Sequence, residues 1–315
     1  MTGAPIDQVN ISEALDAWMA TVERAMFDVT DSDVPVLRDA SRHILSAGGK
    51  RIRPRLLLLS YATLGGRDMN LAANPAAAVE LMHTASVVHD DINDHGTLRR
   101  GRPSVNALWG RTFALLTGDF LFTAVYELMA PYQDLNIDLA TAARGLVEGE
   151  TLQASAVKNR TFTREAYMEI IAKKTAALFR AASAIGAKLA GASQSEISVL
   201  AEFGFNIGLA FQIVDDILDL VADESKLGKA SGVDVTQGRG VAVALNDVNG
   251  NGNAAAADPM GEIRRKMMEG DTIVKARKQA SWLVESAIAS LTILDDSPAK
   301  SALIGLARQV VERDR

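Results

Sequence analysis

The sequence predicts an all-α fold, a single-domain bundle of long helices. Three observations carry this. Apolar residues recur at helical spacing, beginning with Ile11, Leu15, Trp18, Met19 and Val22. No run alternates apolar and polar residues over the length of a strand, and no βαβ rhythm is present. The 315 residues include only 8 prolines and 5% aromatics but abundant alanine, which lets helices pack closely. The absence of a clear internal linker favours one domain over residues 1–315.

The first helix runs from Ile11 to Val29, with Ser12 as its N-cap. The second, Val34 to Ala47, stops at Gly48-Gly49. The stretch Gly48-Gly49-Lys50-Arg51-Ile52-Arg53-Pro54 then sets cations around a flexible turn, and Pro54 opens a helix through Tyr61. Cations beside a helix N-terminus suit a phosphate, although the stretch reads equally well as a solvated basic turn. Pro75 to His95 forms a helix ending in the pentad Asp90-Asp91-Ile92-Asn93-Asp94. A loop from Thr97 to Pro103 follows, carrying Arg99, Arg100, Gly101 and Arg102. Further helices run from Ser104 to Pro131, Ile137 to Val157 and Thr163 to Ala190. The last holds Lys173-Lys174-Thr175 among Ile170, Ile171, Ala176, Leu178 and Phe179, where a lysine is costly unless it meets an anion. Ser195 to Ala222 carries a second pentad, Asp215-Asp216-Ile217-Leu218-Asp219. A glycine-rich loop from Lys226 to Gly240, containing Lys229, and a polar insert at Asn246 to Ala257, expected to be mobile, lead to two closing helices, Pro259 to Leu294 and Pro298 to Arg313.

The pentads point to chemistry. On a helix, positions i and i+4 share a face, so Asp90 projects with Asp94 and Asp215 with Asp219, with Asp91 and Asp216 beside them. Carboxylates gathered in apolar surroundings repel one another and lose solvation, so they need a counter-charge. Hard oxygen donors favour a hard cation, and Mg²⁺ is usually held by a few carboxylates plus substrate phosphates. Two facing helices across a magnesium–diphosphate site are therefore expected. Asp295-Asp296, before Ser297-Pro298 and without a third carboxylate in register, is by contrast a helix-end turn. The arginines of the 97–103 loop either neutralise the aspartates or grip phosphate with their planar forks.

Composition excludes several classes. A net charge of −6 argues against a nucleic-acid binder, and basic residues clustered on an acidic chain suggest an anionic small molecule. Without cysteine there is neither a disulfide framework nor a thiolate zinc site. No basic segment followed by an apolar core opens the chain, and the longest apolar runs are about a dozen residues. The expectation is a soluble cytoplasmic protein with no transmembrane segment. Glu80-Leu81-Met82-His83 is a Glu-x-x-His, but a di-iron bundle needs a second one, which His43, His89 and His95 do not supply.

These motifs resemble, over nearly the whole chain, the trans-isoprenyl diphosphate (polyprenyl) synthases, all-α enzymes with the isoprenoid synthase fold. The resemblance rests on Gly48 through Pro54, Glu80 through Ser86 running into His89-Asp90-Asp91, Arg99 through Pro103, Gly118-Asp119, Lys174-Thr175 and Gly208 through Asp219, all in the family's order. It implies a prenyltransferase that condenses isopentenyl diphosphate with an allylic diphosphate. Asp90, Asp94 and Asp215, helped by Asp91, Asp216 and Asp219, would hold Mg²⁺, three ions with diphosphate bound. Arg99, Lys174, Gln212 and Lys229 would grip the allylic diphosphate, with Thr175 lining the site. Lys50, Arg53, His83 and Arg100 would bind the isopentenyl diphosphate; on helical context alone His83 reads as a core residue. His89 reads as structural, and Asp119 and Gln153 carry no assigned role. The allylic C–O bond would ionise, the isopentenyl double bond attack, and the departing diphosphate take the proton, with no protein nucleophile needed. A homodimer is implied, and the helix from Ser104 to Pro131 supplies either its interface or core.

Ala85 and Ser86, one turn before Asp90, are small, which leaves a product tunnel open and favours geranylgeranyl length or longer. Phe120, Phe122 and Tyr126 are candidates for a deeper floor. Where family members carry a Thr-Leu-Pro-like run, this chain has Gly240-Val241-Ala242-Val243 and then the insert. Two other readings are a terpene cyclase, against which Lys50, Arg53 and Arg100 speak, and a non-catalytic regulatory subunit, against which the two complete pentads speak.

Overall fold

The computed structural model describes residues 11–159, 163–221 and 271–313. The glycine-rich loop with Lys226 and Lys229, the 240–243 departure and the 246–257 insert lie outside the described residues. Within them the expected all-α architecture is present. The helices are α1 (Ile11–Val29), α2 (Pro35–Ser46), α3 (Ile52–Thr63), α4 (Met69–Asn93), α5 (Val105–Met129), α6 (Leu135–Asn159), α7 (Arg164–Ile171), α8 (Ala177–Leu189), α9 (Gln194–Val221), α10 (Thr272–Ser290) and α11 (Pro298–Val311).

Burial follows pattern. α1 is amphipathic and buries Leu15, Met19, Val22 and Met26, one side of its cylinder. α3 and α4 are covered on all sides over their apolar stretches: Leu56 through Leu59 are at most 1% exposed, and Ala76, Ala77, Ala78 and Val79 are fully covered. α4 packs on α5, α3 on α8, and α9 on both α8 and α10. Their apolar side chains form one contiguous core that reaches from α1 to α11. α5 and α9 are, by length and composition, apolar enough to cross a membrane, which uninterrupted apolar runs in the sequence did not reveal; about half of each window is buried against neighbouring helices.

Several boundaries differ from expectation, each for a local reason. α3 opens at Ile52 rather than Pro54; within the first turn the proline's missing N–H forfeits no intrahelical bond. α4 opens at Met69 rather than Pro75, because the Asp68 carboxylate accepts from the Asn70 N–H and caps the helix earlier, leaving Pro75 inside. The 97–103 loop contains a minimal antiparallel hairpin, β1 (Leu98–Arg99) with β2 (Arg102–Pro103). Its turn places Arg100 at φ 51° and Gly101 at φ 73°, the left-handed pair of a type I′ turn. The helix expected over Thr163 to Ala190 is interrupted by a π-helical segment, Ala172–Ala176, and α5 is broken at Gly110 (φ 78°, ψ 168°).

Candidate active site

The C-terminal half of α4 and the C-terminal third of α9 form two walls of a cleft, with the hairpin, the N-terminus of α3 and the π segment around it. Three adjoining cavities, of about 440, 270 and 200 Å³, share His83, Phe211 and Asp215. The smallest brings Asp90, Asp94, Asp215 and Asp216 together with Arg99, Lys174, Thr175 and Gln212. The largest gathers Lys50, Arg53, His83 and Arg100 with Asp215 and Asp219. Apart from Lys229, which lies outside the described residues, both expected sets, scattered over most of the sequence, therefore meet around one cleft.

The carboxylates of each pentad divide into cleft-facing and buried members. Asp90 is partly buried, with Lys174 Nζ 3.5 Å from its Oδ2. Burial pushes its carboxyl up to about 7; Lys174 pulls it down, while the like charge and hydrogen bond of Glu150 push it up again. Asp91 faces away from the solvent, 2% exposed, and takes hydrogen bonds from Arg99 Nε at 3.1 Å and Arg99 Nη2. Burial raises its carboxyl as well, against the pull of Arg99. For Arg99, burial disfavours the charge, but the Asp91 hydrogen bond and the neighbouring Asp90 and Asp94 raise its pKa overall. Arg99 thus does the first of the two jobs considered from sequence, neutralising Asp91, and it also lines the cleft.

On α9, Asp215 is exposed to the cleft whereas Asp216 and Asp219 are buried. Asp216 is held from two sides, by the Tyr167 hydroxyl at 2.6 Å and the Gln212 amide at 2.8 Å. Gln212 in turn accepts from Thr175 Oγ1 at 2.8 Å. This buried chain links α7, α9 and the π segment. It makes Asp216 a fixer of the pentad and leaves Asp215 as the exposed carboxylate.

The π segment is where the adjacent lysines part. Lys173 reaches Glu148 at 2.5 Å on the outside, and Lys174 reaches Glu150 and Asp90 on the cleft side. Gly149, between the two glutamates on α6, makes this approach possible: a Cβ there would sit 2.7 Å from the Lys174 backbone nitrogen. Glu150 was not singled out from sequence, and its only signal was its place in Glu148-Gly149-Glu150.

The basic turn before α3 is also sorted by partner. Arg51, at φ 46°, turns inward to Glu80 Oε1 at 2.9 Å and the Leu45 carbonyl at 2.7 Å, so it serves the fold. Arg53 is 8% exposed and lies over Phe179, 4.7 Å from the ring centroid. Burial lowers its pKa to about 10, so it stays charged at neutral pH. Lys50 is lowered by partial burial and by Arg313. His83 is pushed well below the ordinary histidine value by burial and by Arg53, Arg100, Arg99 and Arg51, so it is a neutral imidazole among cations. Gly49, at φ 141°, gives Arg100 room, since a Cβ would collide with its guanidinium. Arg313, beyond the end of α11, lines the same cavity and sits 4.3 Å from the Phe211 ring centroid. Nothing local in the sequence marked it, because it lies far along the chain from Lys50.

Of the chain-length candidates, Ser86 lines the smallest cavity, with Ile170 and Ile171 opposite, while Ala85 is fully buried in the core. Tyr126 is 72% exposed on the outer side of α5 and forms no floor in this chain; Phe122 packs inward, 5.7 Å from the His89 ring.

The cation fit rests on donor chemistry. The cleft offers hard carboxylate oxygens from two helices, beside a neutral His83. Among the described residues no three acidic or histidine side chains form a ready cage. Carboxylates from two helices suit Mg²⁺, which binds by a few carboxylates and completes its shell with water and phosphate oxygens.

The chain's likenesses agree with this geometry. A family model for polyprenyl synthetase matches residues 34–278. The chain is 34% identical to an octaprenyl diphosphate synthase of Escherichia coli (strain K12), over 98% of this chain and 99% of that one. It is 38% identical to a short chain isoprenyl diphosphate synthase of Methanothermobacter thermautotrophicus, over 93% and 95% of the two chains. A crystal structure of a polyprenyl synthase from Caulobacter crescentus CB15, complexed with calcium and isoprenyl diphosphate, superposes with a TM-score of 0.90 at 31% identity, covering 100% of both chains. The chain therefore belongs to the polyprenyl synthetase family and is a trans-prenyltransferase, a prenyl diphosphate synthase.

Proposed function

We propose that this chain, as a single domain, condenses isopentenyl diphosphate with an allylic diphosphate to give an all-trans product of geranylgeranyl length or longer, with Mg²⁺ as its cofactor. The observation that carries this is the convergence of two cationic sets on one cleft lined between them by Asp90, Asp94 and Asp215. The Caulobacter relative, solved with calcium and isoprenyl diphosphate, supports a divalent cation and a diphosphate on this scaffold.

Asp90, Asp94 and Asp215 would hold Mg²⁺, which when bound supplies hard positive charge against the leaving diphosphate. Lys174, Arg99, Gln212 and Thr175 bind and orient the allylic diphosphate. Lys50, Arg53 and Arg100, joined by Arg313, bind the isopentenyl diphosphate, and neutral His83 offers a hydrogen bond without adding charge. Fixed cations of this kind favour charge developing on the leaving group as the allylic C–O bond ionises. Phe211, Val87, Ile170 and Ile171 line the cleft and exclude water from the resulting cation. The isopentenyl double bond then attacks, and the proton passes to the departed diphosphate. Product length rests on the small side chains Ala85 and Ser86 and on the octaprenyl-forming relative.

A homodimer fits the outside of the bundle. Leu108, Phe113, Leu115, Leu116 and Tyr126 of α5, with Ile137 and Val147 of α6, are exposed apolar side chains in the absence of a partner. α5 and α9 are about half covered by neighbouring helices, so neither requires a membrane, and the cytoplasmic location expected from sequence is kept in this reading. The test is incubation with Mg²⁺, labelled isopentenyl diphosphate and each allylic starter in turn, with chain length read by chromatography. A ladder ending at one length of geranylgeranyl or above is expected. Folded protein that elongates no starter would overturn the proposal.

A further inference from the structure

The hairpin that presents Arg99 and Arg100 is too short to hold its own position. It has two residues per strand, paired Leu98 to Pro103 and Arg99 to Arg102, and isolated hairpins even longer than this are marginal in water. Its place must be set from outside. On the β1 side, Arg99 is tied to Asp91. On the β2 side the tie runs to α2, and His43 is its centre.

His43 Nε2 lies 2.8 Å from the Pro103 carbonyl oxygen. A carbonyl only accepts, so Nε2 carries the proton and donates, which leaves Nδ1 as the acceptor of the neutral ring. Arg102 Nη2 lies 3.5 Å from Nδ1, at the long end of hydrogen bonding. Arg102 Nη1 donates to Ser46 Oγ at 3.1 Å, and Ser46 Oγ donates to the His43 carbonyl at 3.1 Å. Trp109 of α5 stands edge-on to the imidazole, with ring centroids 5.4 Å apart and planes at 67°. One tautomer therefore satisfies both strand-end groups of β2. Arg102, grouped by sequence with Arg99 and Arg100, is spent on this clamp.

We infer that His43 is a positioning residue for Arg100, clamping the hairpin to α2 and so setting the Arg100 guanidinium against Gly49 at the isopentenyl diphosphate cavity. Clamp and seat share one stretch of chain, since α2 carries His43 and ends at Ser46, three residues before Gly49. The inference rests on Arg100 as a diphosphate ligand, proposed above.

The experiment is steady-state kinetics of the full chain with Mg²⁺, varying isopentenyl diphosphate and the allylic diphosphate separately. His43→Ala is expected to raise the KM for isopentenyl diphosphate about 3- to 10-fold, the range of one lost hydrogen bond, with the allylic KM and kcat within about 2-fold of the parent. His43→Gln should restore most of the loss, because its amide N–H reaches a carbonyl while its oxygen accepts from a guanidinium. The double variant His43→Ala, Arg100→Ala should be no worse than Arg100→Ala alone, as for a residue acting through Arg100. Additive losses, or an unchanged KM in a folded His43→Ala alongside an impaired Arg100→Ala, would overturn the clamp. An unimpaired Arg100→Ala would instead overturn the ligand reading on which it rests. Should His43→Ala not fold, His43→Gln decides: an intact KM there and a raised one in Arg102→Ala support the clamp, and the reverse pair sinks it.

Discussion

Removing one oxygen from Tyr167 tests the buried chain that holds the second pentad. Tyr167 is 3% exposed, and its hydroxyl donates to Asp216 Oδ2 at 2.6 Å, a short charge-assisted bond. Tyr167→Phe keeps the ring and its packing, so the cavity term is minimal. The loss is the bond itself, about 1.5–3 kcal/mol for a bond to a charged group, and about 2 kcal/mol is the expected value because Gln212 still holds the other oxygen at 2.8 Å. In a chain of 315 residues that lowers the melting temperature by about 3 °C. A loss of the same size in the transition state would reduce kcat about 30-fold, which sets the ceiling for the kinetic effect. Circular dichroism melts and initial rates, repeated on Asp216→Asn and on the double variant, give the coupling between the two groups. A melting temperature within about 1 °C of the parent, together with additive effects in the double variant, would refute the hydrogen-bond chain as the support of Asp216.

Four further outcomes are expected. Asp90→Ala and Asp215→Ala should each abolish turnover while leaving the circular dichroism spectrum unchanged; parent-like rates in either would refute the cation assignment. In chelator, the protein should lose stability as pH rises between about 4 and about 7, because burial foremost holds the folded Asp90 carboxyl up to about 7 against 3.8 in the unfolded chain, so folding favours its protonated form. Mg²⁺ should therefore raise the melting temperature more at the top of that window than at the bottom, and Asp90→Asn should flatten both trends. Ser86→Phe, on the cavity wall, should shorten the chromatographed product, and it should disturb folding less than Ala85→Phe, whose side chain would enter filled core. Leu116→Glu, on the exposed side of α5, should convert a dimer to a monomer in sedimentation velocity; an unchanged particle size would exclude that face.

Helical periodicity and the paired pentads were legible in the sequence because both are local: spacing alone decides which residues share a face. The basic residues were legible only as a set. Arg51 and Arg53 are two positions apart, yet one is taken by Glu80 and the other lies over Phe179 beside the cleft, a division made by partners far along the chain. Arg102 and Arg100 part in the same way. Pro54 and Pro75 misled as helix starts, since a first-turn proline loses no bond and the Asp68 cap precedes Pro75. Glu150 and Arg313 went unnoticed because their meaning depends on helix packing, which brings α6 to Lys174 and the end of the chain to Lys50. The π segment has no pattern in residue type that would separate it from an ordinary turn of helix.

That segment bears on how this chain can change. A π turn amounts to one residue inserted into an α-helix, so everything after Ala176 is rotated by roughly 100° relative to an uninterrupted helix. Substitution leaves that phase in place, whereas deleting one residue from 172–176 would reset it. The same deletion would swing Phe179 and Ala182 out of the core and unseat Lys174 and Thr175 together. Tyr167, before this segment, and Phe179, after it, are thereby locked into a fixed count of intervening residues: the stretch tolerates changes of letter but not of length.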